Sequence, residues 1–394
     1  MTPFVFSGEI PASKSLYNRA LIIKSFYPEI ELVGDSTCDD VLKMKEAVRL
    51  IGKSNEFDCG EAGTVLRFLA LRVSRNSGEF LLRGTPRLLS RPQEQLLFLL
   101  EQLGVEATVH SEGLYIKSSG WKKPLVPIKV HRKESSQFAS ALLLSAWNLS
   151  FDLQFEISST GVSDSYWDMT KQVVTDFGLD IKTKSEGSYF VPSKQNILSS
   201  KMVIEQDYSS MFAIAATAAL CGKAEFKNVS AQSYQSDHRF MNILKMLNVP
   251  VSYDEKSKLL VVQQAGKICN VTVGLKDSPD LFPVLSILCA HAKGESVLFG
   301  APQLIHKESN RIEKTAQLLS EMGVSCEQKP DGVVINSSGS FSKKRMFEFD
   351  PDQDHRMAMA AGILLRVGWP VKIKHPECVR KSYPEFWHHL GLVK

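Results

Sequence analysis

The sequence has no paired-cysteine motif, no surplus of one charge and no long apolar run, and each lack removes a class of protein. Its seven cysteines (Cys38, Cys59, Cys221, Cys269, Cys289, Cys326 and Cys378) are odd in number, scattered and never spaced Cys-x-x-Cys. That argues against a disulfide framework or a thiolate zinc site, and for reduced thiols in a cytoplasmic protein. Basic residues number 47 and acidic residues 43, a net charge of +4. This is too balanced for a surface that holds nucleic acid or membrane, so the cations matter only where they converge. The opening MTPFVFSGEIP lacks the charged-then-apolar order of an export signal. No apolar run approaches the roughly 20 residues of a membrane helix. What remains is ordinary globular composition, 43% hydrophobic over 394 residues, with length for two or more domains.

One phrase recurs along the chain: an amphipathic helix, a Gly-hydrophobic exit and a short hairpin. It reads LLFLLEQLGVEATVHSEGLYIKSS, then MTKQVVTDFGLDIKTKSEGSYFVPS, then FMNILKMLNVPVSYDEKSKLLVVQQ, then AQLLSEMGVSCEQKPDGVVINSS. The pivots Gly104, Gly178, Asn248, Gly323 and Gly391 lie 74, 70, 75 and 68 residues apart. A residue that tolerates the left-handed conformation after a last helical turn is a helix C-cap, and asparagine is the usual substitute for glycine. A fixed period of this length implies stacked supersecondary units. From Gly52 to Gly104 is only 52 residues, so one early unit is short of its hairpin.

Upstream in each unit lies a second helical segment. The six read SKSLYNRALII, GEAGTVLRFLAL, ESSQFASALLL, DYSSMFAIAATAAL, DSPDLFPVLSIL and DQDHRMAMAAGILL. Each opens on small, hydroxyl or acidic cap residues and continues apolar all round, the pattern of a buried helix. Each unit therefore predicts strand, buried helix, strand, surface helix, hairpin. Six such N-terminal ends form anion sites from backbone alone. Cations gather at the same openings: Lys14, Arg19, Arg67 and Arg356 on the helices, Arg91, Lys307, Arg311 and Lys381 on neighbouring loops, with Asp280 and Glu308 beside them. Singly, a lysine at a helix start is solvated and an aspartate there is a cap. Together they suggest a site for two anionic substrates, since the planar guanidinium suits phosphate and carboxylate.

The segments PASKSLYNRAL, GEAGTVLR, LSRP, SSQF, PDLFPVL, HKESNR and DHRMAM, in this order, resemble the 5-enolpyruvylshikimate-3-phosphate synthase family over roughly residues 7 to 387. The resemblance implies a two-lobed α/β enolpyruvyl transferase fold of six βαβαββ-type repeats, three per lobe, closing on its substrates like a clamp. One lobe is expected at residues 1–13 and 207–394, the other at 14–206. The implied reaction moves the enolpyruvyl group of phosphoenolpyruvate to the 5-hydroxyl of shikimate-3-phosphate and releases phosphate. Lys14, Asp280 and Glu308 are the implied catalytic residues: Asp280 as base at the hydroxyl, Glu308 as proton donor and acceptor at C3. For shikimate-3-phosphate the resemblance implies Lys14, Ser15, Arg19, Ser135, Ser136, Gln137, Ser163, Tyr166, Asp280, Gln303 and Lys307. For phosphoenolpyruvate it implies Lys14, Gly63, Arg91, Gln137, Arg311, Arg356 and Lys381. No metal or organic cofactor is implied, and a monomer acting on small molecules is expected.

The chain also departs from the family. Glu61 stands where asparagine is usual, and a carboxylate there repels an anion unless it pairs with a cation; pairing with Arg67 or Arg91 is the expectation. Phe68 replaces a common proline, Asn310 an aspartate, and Gln303 an asparagine. Two other readings stay open on these residues. One is a transferase with a different acceptor, such as a UDP-amino sugar. The other is a diverged, non-catalytic paralogue that binds anions or a partner.

Overall fold

The computed structural model describes residues 2–132, 135–161, 164–341 and 345–392. The chain divides into two compact units, Ser13–Ile204 and Met1–Ala12 with Glu205–Lys394. Among the described residues no helix is long and apolar enough to cross a membrane.

In the unit Ser13–Ile204, three helices, Lys14–Lys24, Gly63–Val73 and Gln137–Leu144, pack against one another. Nearly every side chain of Gly63–Val73 is buried, as its all-round apolar sequence predicts. Three sheets flank these helices. One orders Glu56–Asp58, Ser77–Arg83, Gly113–Ser119 and Glu106–Val109. A second orders Ile128–Arg132, Leu153–Gly161, Ser188–Val191 and Lys182–Ser185. In both, the first pair is parallel and the rest antiparallel, which is what a crossover helix followed by a hairpin must give. The third sheet is the lone parallel pair Glu31–Val33 and Lys201–Val203. Arg72 and Arg75, at the end of Gly63–Val73, bond the carbonyls of Ser25, Ser145 and Trp147, closing the C-terminal ends of the two neighbouring helices.

The other unit repeats the plan with Tyr208–Cys221, Phe282–Ala290 and His355–Arg366 as its packed helices. Tyr208–Cys221 is buried from Tyr208 through Ala219. Each fully buried Leu, Ile or Phe in such a helix contributes about 1.5–3 kcal/mol. Its sheets are Phe4–Gly8, Gly222–Phe226, Leu259–Gln263, Val251–Asp254; then Thr272–Gly274, Lys293–Phe299, Gly332–Ser338, Ser325–Lys329; then the parallel pair Phe347–Phe349 and Val371–Ile373. The strand Phe4–Gly8 lies so close to Gly222 that a Cβ on Gly222 would collide with the Phe4 carbonyl.

The six repeats appear as six sheets, but the number of short ones needs a correction: among the described residues two sheets lack a hairpin, one in each unit, where one was expected. After Ile373 the chain turns into the segments Pro376–Lys381 and Phe386–His389, so Gly391 ends a helix without completing a unit. The pivot logic itself holds: Gly104, Gly178, Asn248, Gly323 and Gly391 all have positive φ, Asn248 at 61°.

Candidate active site

Within Ser13–Ile204 the expected residues collect at the N-terminal ends of the three packed helices. Lys14 is the first residue of its helix, and its ammonium lies 3.0 Å from the nearly buried Asp40 carboxylate. Ser15 follows it and offers its carbonyl to Arg19. Arg19 is 2% exposed. Its Nε donates to Thr170 Oγ1 at 2.8 Å, Nη1 to the Ser15 carbonyl at 2.8 Å, and Nη2 to the Tyr166 carbonyl at 3.2 Å. The rings of Phe68 and Tyr166 stand 5.4 and 6.0 Å away. Phe68, a departure from the family, thus has a place as an aromatic wall for Arg19. Burial pushes the guanidinium down to about 10, which still leaves it charged at neutral pH. Among the described residues no carboxylate pairs with it. A buried cation held only by neutral oxygens is a ready partner for an anion.

Gln137 opens the helix Gln137–Leu144, and its N–H receives support from Ser135 Oγ at 3.2 Å; Ser136 is buried beside them. Gln137 Oε1 accepts from Arg67 at 2.9 Å. Arg67 also reaches Gln93 at 3.3 Å and the Pro92 carbonyl at 2.9 Å. It therefore ties the Arg91 loop to the SSQ turn, the role of a strut. Arg91 is different. Its buried Nε has no hydrogen-bond partner among the described residues, and Nη1 lies where a Cβ on Gly63 would be 2.9 Å away. Gly63 begins the helix Gly63–Val73, so its missing side chain leaves room for a guanidinium at a positive helix end. Glu61 is half-buried in the preceding turn and makes a polar contact of its own. Ser163 lies outside the described residues.

The other unit carries a mixed-charge cluster centred on Arg311, 1% exposed. Asp354 holds it with two bonds, Nε to Oδ2 at 2.8 Å and Nη2 to Oδ1 at 3.2 Å. Asp280 takes Nη1 at 2.8 Å, and Glu308 takes Nη2 at 3.3 Å. Burial lowers the guanidinium's hold on its proton, but these three carboxylates raise it well above the usual value. Asp280 also faces Lys307 Nζ at 3.4 Å and Arg356 Nη2 at 3.8 Å. Burial alone would raise the Asp280 carboxyl; Lys307, Arg311 and Arg356 together hold it well below the usual carboxylate range. Lys381 ends the turn Pro376–Lys381, with Nζ 3.9 Å from Glu308 Oε1. Gln303 is buried and donates to the Lys276 carbonyl at 2.9 Å. Asn310 caps the helix Arg311–Glu321, accepting from the Glu313 N–H at 3.3 Å. Asparagine and aspartate cap equally well, so this departure costs the helix nothing.

Sequence reasoning passed over Asp40 and Asp354 behind these cations and took Asp207 only as a structural or supporting residue. Asp40 positions Lys14, and Asp354 positions Arg311 while capping the helix His355–Arg366. Asp207 lies 3.6 Å from Arg356. Each precedes or opens a helix, which is the only local signal they carry.

The architecture defines the class first. An EPSP synthase from Acinetobacter baumannii matches with a TM-score of 0.76 at 21% identity, covering 99% of this chain and 95% of the other. The enolpyruvyl transferase NikO from Streptomyces tendae matches with a TM-score of 0.72 at 12% identity, covering 99% and 94%. The fold is thus that of the enolpyruvyl transferases. The family model for EPSP synthase (3-phosphoshikimate 1-carboxyvinyltransferase) matches residues 51–390. A 3-phosphoshikimate 1-carboxyvinyltransferase from Syntrophobacter fumaroxidans is 30% identical over 98% of this chain and 96% of its own length. The chain belongs to the EPSP synthase family.

Proposed function

We propose that this protein transfers the enolpyruvyl group of phosphoenolpyruvate to the 5-hydroxyl of shikimate-3-phosphate, a step toward chorismate and the aromatic amino acids. The observation that carries the reading is a division of labour in a chain of this family. Among the described residues, one unit holds the buried Arg19 with no carboxylate partner and Arg91 with a buried Nε that has no hydrogen-bond partner, and the other holds a cluster of carboxylates and cations. The hydroxyl gives up its proton as its oxygen bonds to C2 of phosphoenolpyruvate, while C3 gains a proton from an acid, giving a tetrahedral ketal phosphate. C3 then returns its proton, the C–O bond to phosphate breaks, and in balance the hydroxyl proton departs with the phosphate. Such a reaction needs fixed cations for phosphate and carboxylate, and a proton carrier at C3.

Arg19, with Ser135, Ser136, Gln137, Ser163 and Tyr166, binds the phosphate and ring of shikimate-3-phosphate; Ser15, Gln303 and Lys307 complete that set. Arg91, Arg311, Arg356 and Lys381, together with Gly63 and Gln137, are the residues that bind phosphoenolpyruvate on this reading. Lys14, steered by Asp40, bonds the leaving phosphate. Lys307, Arg311 and Arg356 hold the Asp280 carboxyl well below the usual carboxylate range, which keeps it ionised at neutral pH and weakens it as a base. It therefore orients the 5-hydroxyl as an acceptor more readily than it removes the proton outright. Glu308, between Arg311 and Lys381, carries the proton at C3. The protein acts in the cytoplasm as a monomer, a reading supported by its unbridged cysteines and balanced charge.

The test is phosphate release from phosphoenolpyruvate, with the product identified by mass. Release with shikimate-3-phosphate is expected. Release only with a UDP-amino sugar would move the protein to the sister reaction. Anion binding without release under any acceptor would make it a non-catalytic paralogue.

A further inference from the structure

Beside the Asp280–Arg356 contact lies a carboxyl that the reaction leaves unused. Asp237 belongs to the turn Ser236–Arg239 and is 4% exposed. Ser209 Oγ donates to its Oδ2, while Oδ1 is buried with no hydrogen-bond partner. Ser209 lies on the first turn of Tyr208–Cys221, between two groups that hold Arg356. Asp207 caps that helix, accepting from the Ser210 N–H at 2.8 Å, and stands 3.6 Å from Arg356 Nη2. Ser210 Oγ accepts from Arg356 Nη1 at 3.4 Å. The charges that act most strongly on Asp237 come from three elements: Asp207 at the head of Tyr208–Cys221, Asp280 in the turn Pro279–Leu281, and Arg356 in His355–Arg366. Burial first, then Asp280 and Asp207, oppose its ionisation; Ser209 and Arg356 favour it, and the balance pushes the carboxyl up to about 7. An unpartnered buried oxygen also costs less on a neutral acid than on a carboxylate.

We propose that Asp237 is a positioning residue that sets how much of the Arg356 charge is available to an anionic substrate. Neutral, it leaves Arg356 to Asp207, Asp280 and the substrate. Ionised, it adds a third buried carboxylate to that competition and draws the guanidinium toward the turn Ser236–Arg239. The inference rests on the reading that Arg356 binds phosphoenolpyruvate.

Asp237→Asn fixes the neutral form at every pH. The measurement is KM for phosphoenolpyruvate, at saturating shikimate-3-phosphate, in wild type and variant from pH 6 to 8.5. The ratio of wild-type to variant KM is expected near one at pH 6 and to grow by roughly threefold to thirtyfold at pH 8.5, the reach of a partly screened unit charge. The substrate's own phosphate ionisation is common to both proteins and cancels in the ratio. The effect falls on KM and not on kcat, whereas a merely structural role would lower stability and leave the ratio flat with pH. A flat ratio in a folded variant overturns the proposal.

Thermal melting gives a second arm that needs no turnover. A carboxyl raised in the folded state carries a penalty that is absent below the unfolded value near 4 and complete above the folded value near 7. Asp237→Asn should therefore gain on wild type as pH rises from 4 to 8.5, and a constant gap overturns the proposal. Should that variant not fold, Ser209→Ala removes a bond that favours ionisation and should move the KM rise to higher pH; no movement overturns the idea. Absence of any wild-type turnover would instead sink the functional reading, and the melting arm would still judge Asp237.

Discussion

Replacing Gly63 with alanine should leave the protein folded and weaken phosphoenolpyruvate. Gly63 is the first residue of Gly63–Val73 and does not occupy the left-handed region, so alanine fits its backbone. Alanine is favoured over glycine inside a helix by up to about 1 kcal/mol, less at the first position. The new Cβ would meet Arg91 Nη1 at 2.9 Å and Cζ at 3.4 Å. Both atoms end a flexible side chain, so the guanidinium gives way by several tenths of an ångström and the fold is spared. A charge-assisted hydrogen bond contributes about 1.5–3 kcal/mol, and a displacement that halves one costs about 1 kcal/mol. One bond halved is about fivefold in affinity, and two bonds of the fork about thirtyfold. Steady-state kinetics at saturating shikimate-3-phosphate should show KM for phosphoenolpyruvate raised by an amount in that range. The melting temperature should hold or rise slightly. A KM unchanged in Gly63→Ala would refute the placement of phosphoenolpyruvate at Arg91. A large loss of melting temperature would refute the claim that only the guanidinium yields.

Three further expectations follow from named contacts. Arg19→Ala should raise KM for shikimate-3-phosphate more than tenfold, about 1.4 kcal/mol or more, and barely move that for phosphoenolpyruvate; equal losses in the two constants would contradict its role. Glu308→Gln should lower kcat by about 10²–10⁴-fold with binding of shikimate-3-phosphate largely kept, read by single-turnover kinetics, and full turnover would remove Glu308 from the chemistry. Asp354→Ala strips a fully buried partner from Arg311 and a cap from His355–Arg366, and should destabilise its unit by about 3–5 kcal/mol plus about 1 for the cap in urea unfolding; Asp354→Asn, which keeps the cap, should cost less.

What the sequence made legible was local. The buried helices announce themselves through cap residues followed by unbroken apolar runs, and the helix exits through residues that accept positive φ, Asn248 included. Less visible was anything whose partner lies far along the chain. Lys201–Val203 pairs with Glu31–Val33 across some 170 residues, and no turn signal joins them. The second hairpin-less sheet was overlooked because Gly391 looks like the other pivots, although in the other units the hairpin follows the pivot and only three residues follow Gly391.

The site divides along the same line, and two arginines show why. Arg67 and Arg91 are equally cationic, and both stand beside the opening of Gly63–Val73. Gln137, Gln93 and the Pro92 carbonyl converge on Arg67 and occupy its fork. Among the described residues nothing comparable reaches Arg91 Nε. A guanidinium whose bonds tie one loop to the start of a neighbouring helix, as those of Arg67 do, orders that loop. One with a buried donor left open beside a helix N-terminus is preorganised for an anion there. The sequence supplies the cations and the helix ends; which cation is left open is decided by side chains brought in from the neighbouring repeat. The same rule assigns the carboxylates: Asp354 is closed on both oxygens by Arg311, Ser309 and the Arg356 N–H, and so serves structure. Glu308 contacts Arg311 at 3.3 Å and Lys381 at 3.9 Å, and the proposed reaction asks it to carry the proton at C3.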